Sequence, residues 1–170
     1  MPAKSKTKGK SFEREICKYL GEKYDASFRR VFDSGAFTGG INKARRESLT
    51  EGQIRSHKGD IVPPDDWKYF NCECKFYAEF PFHQLFFDKP ILLLESWTLQ
   101  ALDAADENDC TIVIMKINRK GRYIMVDKVE KFNYNKCIDY TDSHGRIWAF
   151  CELDAFFDAN QERFKKRCLR

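Results

Sequence analysis

Four residues combine the right types and spacing for one piece of chemistry: Glu13, Asp60, Glu73 and Lys75. Glu73 and Lys75 lie two apart in Lys68–Tyr77 (KYFNCECKFY). That run reads as a strand, and the strand period of two sends both side chains to one face. Asp60 opens the preceding extended piece, and a turn through Pro63-Pro64-Asp65-Asp66 brings it alongside Glu73. Two converging carboxylates make a hard oxygen site suited to Mg2+ or Mn2+, with the Cys74 backbone carbonyl between them as a further ligand. Such an ion acidifies a water and neutralises charge on a phosphate oxygen. Lys75 on the same face would hold that water and offset developing charge. Glu13 joins Cys17 and Leu20 in a helical stripe beside a second stripe of Phe12, Ile16 and Tyr19. It therefore borders an apolar face, an unusual place for a solvated Glu, and would complete the shell or serve a second ion.

A plain E-x-K ion pair competes with this reading. The apolar neighbours in FNCECKFY count against it, because an ionic pair among them needs compensation.

The elements that must position these residues follow from pattern and punctuation. A helix runs from the N-cap Ser11 to about Tyr24, then a short strand over Ser27–Phe32. A long polar stretch, Asp33–Lys58, leaves room for a short helix around Lys43–Thr50 and is of a length that is usually functional. Asp60–Val62 and Lys68–Tyr77 read as the arms of a hairpin. Leu92–Leu94 reads as an extended piece, and Ser96 caps a helix to about Glu107. Strands follow at Thr111–Ile117 and Arg122–Asp127, then a hairpin over Tyr140–Cys151 and a last helix over Glu152–Cys168. The order predicts a mixed α/β domain around one sheet.

Composition sets bounds. The 170 residues are 42% hydrophobic, enough for one core, and no apolar run approaches the roughly 18–20 residues of a membrane span. The Lys-rich start has no apolar segment behind it, so a secretory signal is not expected. Seven Cys, an odd number, with Cys72 and Cys74 on one strand face, predict reduced thiols in a cytoplasmic protein and no disulfide framework. With no C-x-x-C pair and three His, zinc is not expected. The net charge of +4 hides segregation. Residues 1–10, 26–60 and 159–170 carry +4, +3 and +4, together +11, which leaves −7 for the rest. Basic arms on an acidic body suit an anionic partner, although solvated termini would look the same.

Taken together, Ser11-Phe12-Glu13-Arg14-Glu15, Gly59-Asp60 and Glu73-Cys74-Lys75 resemble the PD-(D/E)xK nuclease superfamily. Within it the pattern is most similar to archaeal-type Holliday junction resolvases and their viral relatives, and Arg30 through Asp33-Ser34-Gly35 strengthens the likeness. The resemblance covers roughly residues 9–118. It implies a restriction-endonuclease-like mixed β-sheet flanked by helices, to which the hairpin and helix read after Asp127 add a C-terminal α+β extension. With the composition and element pattern, the chain divides into a basic flexible tail (1–10), a nuclease core (11–127) and a hairpin and helix extension packed on that core (128–170). The resemblance implies a Mg2+-dependent endonuclease of DNA recombination or repair, with Mn2+ as substitute, acting on four-way junctions as a homodimer. Glu13, Asp60, Glu73 and Lys75 become catalytic, Ser34 a helper, and Asp60, Glu73, Cys74 and Glu13 the metal ligands. DNA would lie along Lys4, Lys6, Lys8, Lys10, Arg29, Arg30, Lys43, Arg45, Arg46, Arg55 and Lys58. Here Gly59 stands where the motif has Pro, the loop from Ser34 to Asp60 is longer than in small resolvases, and the segment after Asp127 has no counterpart in the minimal fold.

Two rival functions share these residues: a restriction- or repair-type nuclease acting on duplexes or ends, and a non-catalytic DNA-binding relative. Lesser candidates are Gln84 and Gln100 near the metal, His57 near phosphate, and Glu15 in place of Glu13. The aromatic run Phe76, Tyr77, Phe80, Phe82, Phe86 and Phe87 reads as core or dimer contact sooner than as a base-stacking wedge.

Overall fold

The computed structural model describes residues 3–32 and 48–169, with backbone alone for 3–6 and 51. Ser34, Lys43, Arg45 and Arg46 lie outside the described residues, as do the side chains of Lys4 and Lys6. The elements in order are α1 (Ala3–Tyr24), β1 (Arg29–Arg30), α2 (Glu51–Ser56), β2 (Ile61–Val62), β3 (Phe70–Tyr77), α3 (Leu92–Ala104), β4 (Cys110–Ile117), β5 (Gly121–Asp127), β6 (Ile138–Thr141), β7 (Ile147–Glu152) and α4 (Leu153–Leu169). A 3-10 helix, Phe82–Phe86, lies between β3 and α3.

A five-stranded sheet in the order β3-β4-β5-β7-β6 forms the middle layer. Only β3 and β4 are parallel, and they are joined through α3. The other pairs are antiparallel. Strand β4 (CTIVIMKI) is apolar nearly throughout because it is covered on both faces. On one face α1 and α4 bury Phe12, Ile16, Leu20, Phe156, Phe157 and Phe164 against Cys72, Ile112, Ile114 and Ile124. On the other, α3 and the 3-10 helix bury Leu85, Leu94 and Trp97 against Val113, Met115 and Met125. This mixed sheet flanked by helices is the restriction-endonuclease-like fold that the sequence predicts. Strands β6 and β7 extend the same sheet.

The structure departs from expectation in four places. Helix α1 begins at Ala3, so the basic run 3–10 forms its first turns instead of a tail. Helix α3 begins at Leu92, which takes Leu92–Leu94 out of the extended class. Helix α2 starts after a capping box on Thr50 and Gln53, just beyond the span expected for it.

The fourth departure matters most for function. β2 does not pair with β3 as a hairpin arm; it pairs antiparallel with β1, Arg29 opposite Val62 and Arg30 opposite Ile61. Pro63 and Pro64 follow at once and bring no N–H to extend a ladder. Among the described residues β3 is thereby left as an edge strand, and Asp60 reaches across that edge.

The expectation of thiols alone is also corrected. Cys137 and Cys151 form a disulfide across β6 and β7. The β6–β7 register pairs Ile138 with Phe150, so the next step brings Cys137 opposite Cys151. Such proximity cannot be read from a Cys count. Among the described residues no helix is long and apolar enough to cross a membrane.

Candidate active site

Three elements converge on the open edge of β3. Its side chains alternate: Phe70 and Cys72 enter the α1/α4 core, while Glu73 and Lys75 point to the α3 side. The Asp60 N–H donates to the Cys72 carbonyl at 2.8 Å, and Asp60 Oδ2 accepts from the Cys74 N–H at 2.7 Å. In a strand the N–H and C=O of one residue point the same way, so the Cys74 carbonyl faces this edge as well. Gly59 allows the approach. Its φ is +62°, and a Cβ there would sit 2.5 Å from the Cys72 carbonyl oxygen. Glycine in place of the motif's proline is thus a steric requirement of this turn.

Glu73 and Lys75 form an ion pair, Nζ to Oε1 at 2.7 Å, and Lys75 Nζ also donates to Gln100 Oε1 on α3 at 2.6 Å. Two of the three ammonium donors are committed in this way. Burial pushes the Glu73 carboxyl well above its usual range, and the neighbouring Asp60 charge adds to it; Lys75 opposes both without cancelling them. Glu13 enters from α1 on the other side of the edge. Its Oε2 accepts from Arg30 Nη1 at 3.3 Å. Burial, then Asp60, raise the Glu13 carboxyl, while Arg30 and Lys10 work against the rise. Among the described residues, Glu13, Asp60 and Glu73 therefore share a largely buried edge, where Lys75 bonds Glu73 and Arg30 bonds Glu13.

This donor set fits a hard divalent cation. Two carboxylates in mutual conflict and a backbone carbonyl are oxygen donors of the kind that hold such an ion together with several waters. Among the described residues no three His, Cys, Asp or Glu side chains are gathered closely enough to cage a metal ion. Asp60 and Glu73 are brought together, whereas Glu13 is engaged by Arg30.

The other expected residues separate clearly. Gln100 joins the site through Lys75, whereas Gln84 lies in the 3-10 helix. Glu15, the alternative to Glu13, bonds Lys116 at 2.6 Å and Arg122 at 3.5 Å across the sheet. His57 is the C-cap of α2. Lys8 and Lys10 are exposed on α1, and Lys8 Nζ lies 6.0 Å from the Phe76 ring centre. Arg29 is exposed on β1. Arg55 Nη1 donates to the Asp65 carbonyl at 2.7 Å.

Lys58 is a correction. It is buried and paired with Asp109, and cannot line a DNA surface in this arrangement. Of the aromatic run, Phe80 packs among Phe82, Trp97 and Phe150, and Tyr77 lies against Trp97. Phe86 and Phe87 are 79% and 60% exposed. Lys116, which no motif marks, lies on the α1 side of the sheet: register pairs it with Phe76, and its Nζ is 5.6 Å from that ring's centre and 5.9 Å from that of Phe12.

Comparison with known proteins fits this geometry. A family model described as "Phage putative PDDEXK endonuclease" matches residues 4–166. No curated protein and no solved structure matches the chain. The family match spans nearly the whole chain, with the carboxylates and lysine of the D…E-x-K pattern inside it. The chain belongs to the phage PDDEXK endonuclease family, nucleases of the PD-(D/E)xK superfamily.

Proposed function

We propose that the chain is a Mg2+- or Mn2+-dependent DNA endonuclease hydrolysing phosphodiesters in branched DNA, chiefly four-way junctions. It would act as a homodimer that sets two sites on opposing strands for paired nicks. The convergence of Asp60, Glu73 and Lys75 at the open edge of β3 carries the hydrolytic part. Asp60, Glu73 and the Cys74 carbonyl would hold the ion, with Glu13 joining or serving a second ion. When bound, the ion supplies an acidified water and charge neutralisation at a phosphate oxygen. The third donor of Lys75 orients the water or steadies the phosphate, with Gln100 and Glu73 fixing the ammonium.

Lys4, Lys6, Lys8, Lys10, Arg29 and Arg30 would draw in backbone phosphates without reading sequence. Lys43, Arg45, Arg46 and the helper Ser34 belong to the same reading. The likeness of the Ser11–Glu15, Gly59-Asp60 and Glu73–Lys75 motifs to junction resolvases supports the branched substrate, the dimer and a cytoplasmic setting.

The test is cutting of four-way junctions, linear duplex and single strands with Mg2+ and with EDTA. Paired nicks in junctions alone, dependent on Mg2+, are expected. Preference for duplex or ends would replace the junction assignment with a restriction- or repair-type activity. Salt-sensitive binding without cutting would indicate a non-catalytic relative.

A further inference from the structure

Lys58 lies two residues before Asp60, and its burial has a geometric consequence. Its side chain is 3% exposed and that of Asp109 is 1% exposed. Nζ donates to both Asp109 oxygens at 2.8 Å and to Asp106 Oδ2 at 3.4 Å. Asp109 Oδ2 also accepts from the Asp106 N–H at 2.7 Å and so closes the turn between α3 and β4. One carboxylate therefore ties together the approach to Asp60, the end of α3 and the start of β4. Strand β4 begins at Cys110 and pairs with β3 from Phe70 onward. Gly59 then lies flat on β3, where a Cβ would also stand 2.9 Å from Asn71 Oδ1. The Asp60 carbonyl accepts from the Val31 N–H at 2.9 Å, which adds β1 to the clamp. A buried ion pair is a weak source of stability, since two apolar side chains would fill the space as well. Its better-attested use is to specify one arrangement among several.

We propose that the Lys58–Asp109 pair is a positioning device for the catalytic carboxylates. It fixes how Asp60 meets the edge of β3. Through the same carboxylate it fixes the end of α3, the helix whose Gln100 holds Lys75. Lys58 and Asp109 touch neither DNA nor the reacting atoms. The inference rests on the reading of Asp60 as catalytic.

The test uses Lys58→Met and Asp109→Asn, singly and together, in the full chain. Asp109→Asn retains an acceptor for the Asp106 N–H. The double variant buries no unpaired charge, so it serves where a single variant does not fold. Three readouts are taken where circular dichroism shows folded protein: calorimetric titration with Mn2+, DNA binding with Ca2+ in place of Mg2+ over a range of salt, and cutting. The Mn2+ dissociation constant should rise, and kcat fall, by about 10- to 100-fold. DNA affinity should stay within about twofold, with an unchanged salt slope. A slope reduced by about one, with an unaltered Mn2+ titration, would overturn the proposal and make Lys58 a phosphate contact. A lowered thermal midpoint with unaltered Mn2+ binding would also overturn it, leaving only a structural pair. If the unsubstituted chain binds Mn2+ but cuts no DNA, the catalytic reading of Asp60 fails, and the Mn2+ arm still decides the positioning.

Discussion

At the β6 edge of the sheet a buried acid is surrounded by donors; at the β3 edge a buried acid faces another acid. Asp142, in the β6–β7 turn, accepts from the His144 and Arg146 N–H groups at 2.9 Å and from Trp148 Nε1 at 3.0 Å. Burial alone would raise its carboxyl, but these bonds outweigh it and hold the group below its usual range. Glu95, bonded by Tyr140 and Ser143, is likewise lowered against the effect of burial. Glu73 is raised, by burial and by Asp60. At this edge the acids hold a turn together, Asp142 from within it and Glu95 from the first turn of α3. The β3 edge keeps acids in conflict that a structural role would have relieved, as expected where a site is built to receive a cation.

The largest stability effect should come from the quiet edge. Replacing both members of the disulfide, Cys137→Ala with Cys151→Ala, should cost about 3 kcal/mol for a loop of this length, read by denaturant unfolding. Cutting at a temperature where the protein stays folded should be unchanged. A loss of cutting there would show that the two edges are coupled.

Asp142→Asn should cost about 1–3 kcal/mol, because donors in the turn lose a charged acceptor. The pH dependence sharpens this. A carboxyl lowered by folding stabilises above its unfolded pKa of about 4, and that contribution disappears as pH falls through the folded value. The unsubstituted chain should therefore lose stability below about pH 4, and Asp142→Asn should flatten that acid limb.

The smallest effect, of opposite sign, belongs to the β3 edge. Glu73→Gln should raise the thermal midpoint in EDTA by roughly 1–3 °C, because it removes a charge that burial and Asp60 both disfavour. A fall in midpoint would contradict the contrast between the edges.

Much of the site was legible because it depends on local period. Glu73 and Lys75 share a face at a spacing of two, and Glu13, in a stripe with Cys17 and Leu20, borders the Phe12–Ile16–Tyr19 stripe. The sheet was legible from its runs: TIVIMKI is apolar except at Thr111 and Lys116, as suits a strand covered on both faces. What stayed hidden depends on long-range pairing. Lys58 reads as one more cation in a basic loop, and its partner lies 51 residues later. β2 looks like a hairpin arm to β3 because nothing local reveals its pairing with β1. Cys137 and Cys151 meet only through the β6–β7 register. Gln100 gave a faint signal, as a Gln on the helix after the E-x-K strand, and became specific only through Lys75.

The most direct measurement is cutting of four-way junction and duplex DNA by Glu73→Ala in Mg2+, beside DNA binding by the same variant. Cutting should fall by at least about a thousandfold while binding stays close to that of the unsubstituted chain. Cutting that survives the change would contradict the assignment of the β3 edge as the active site.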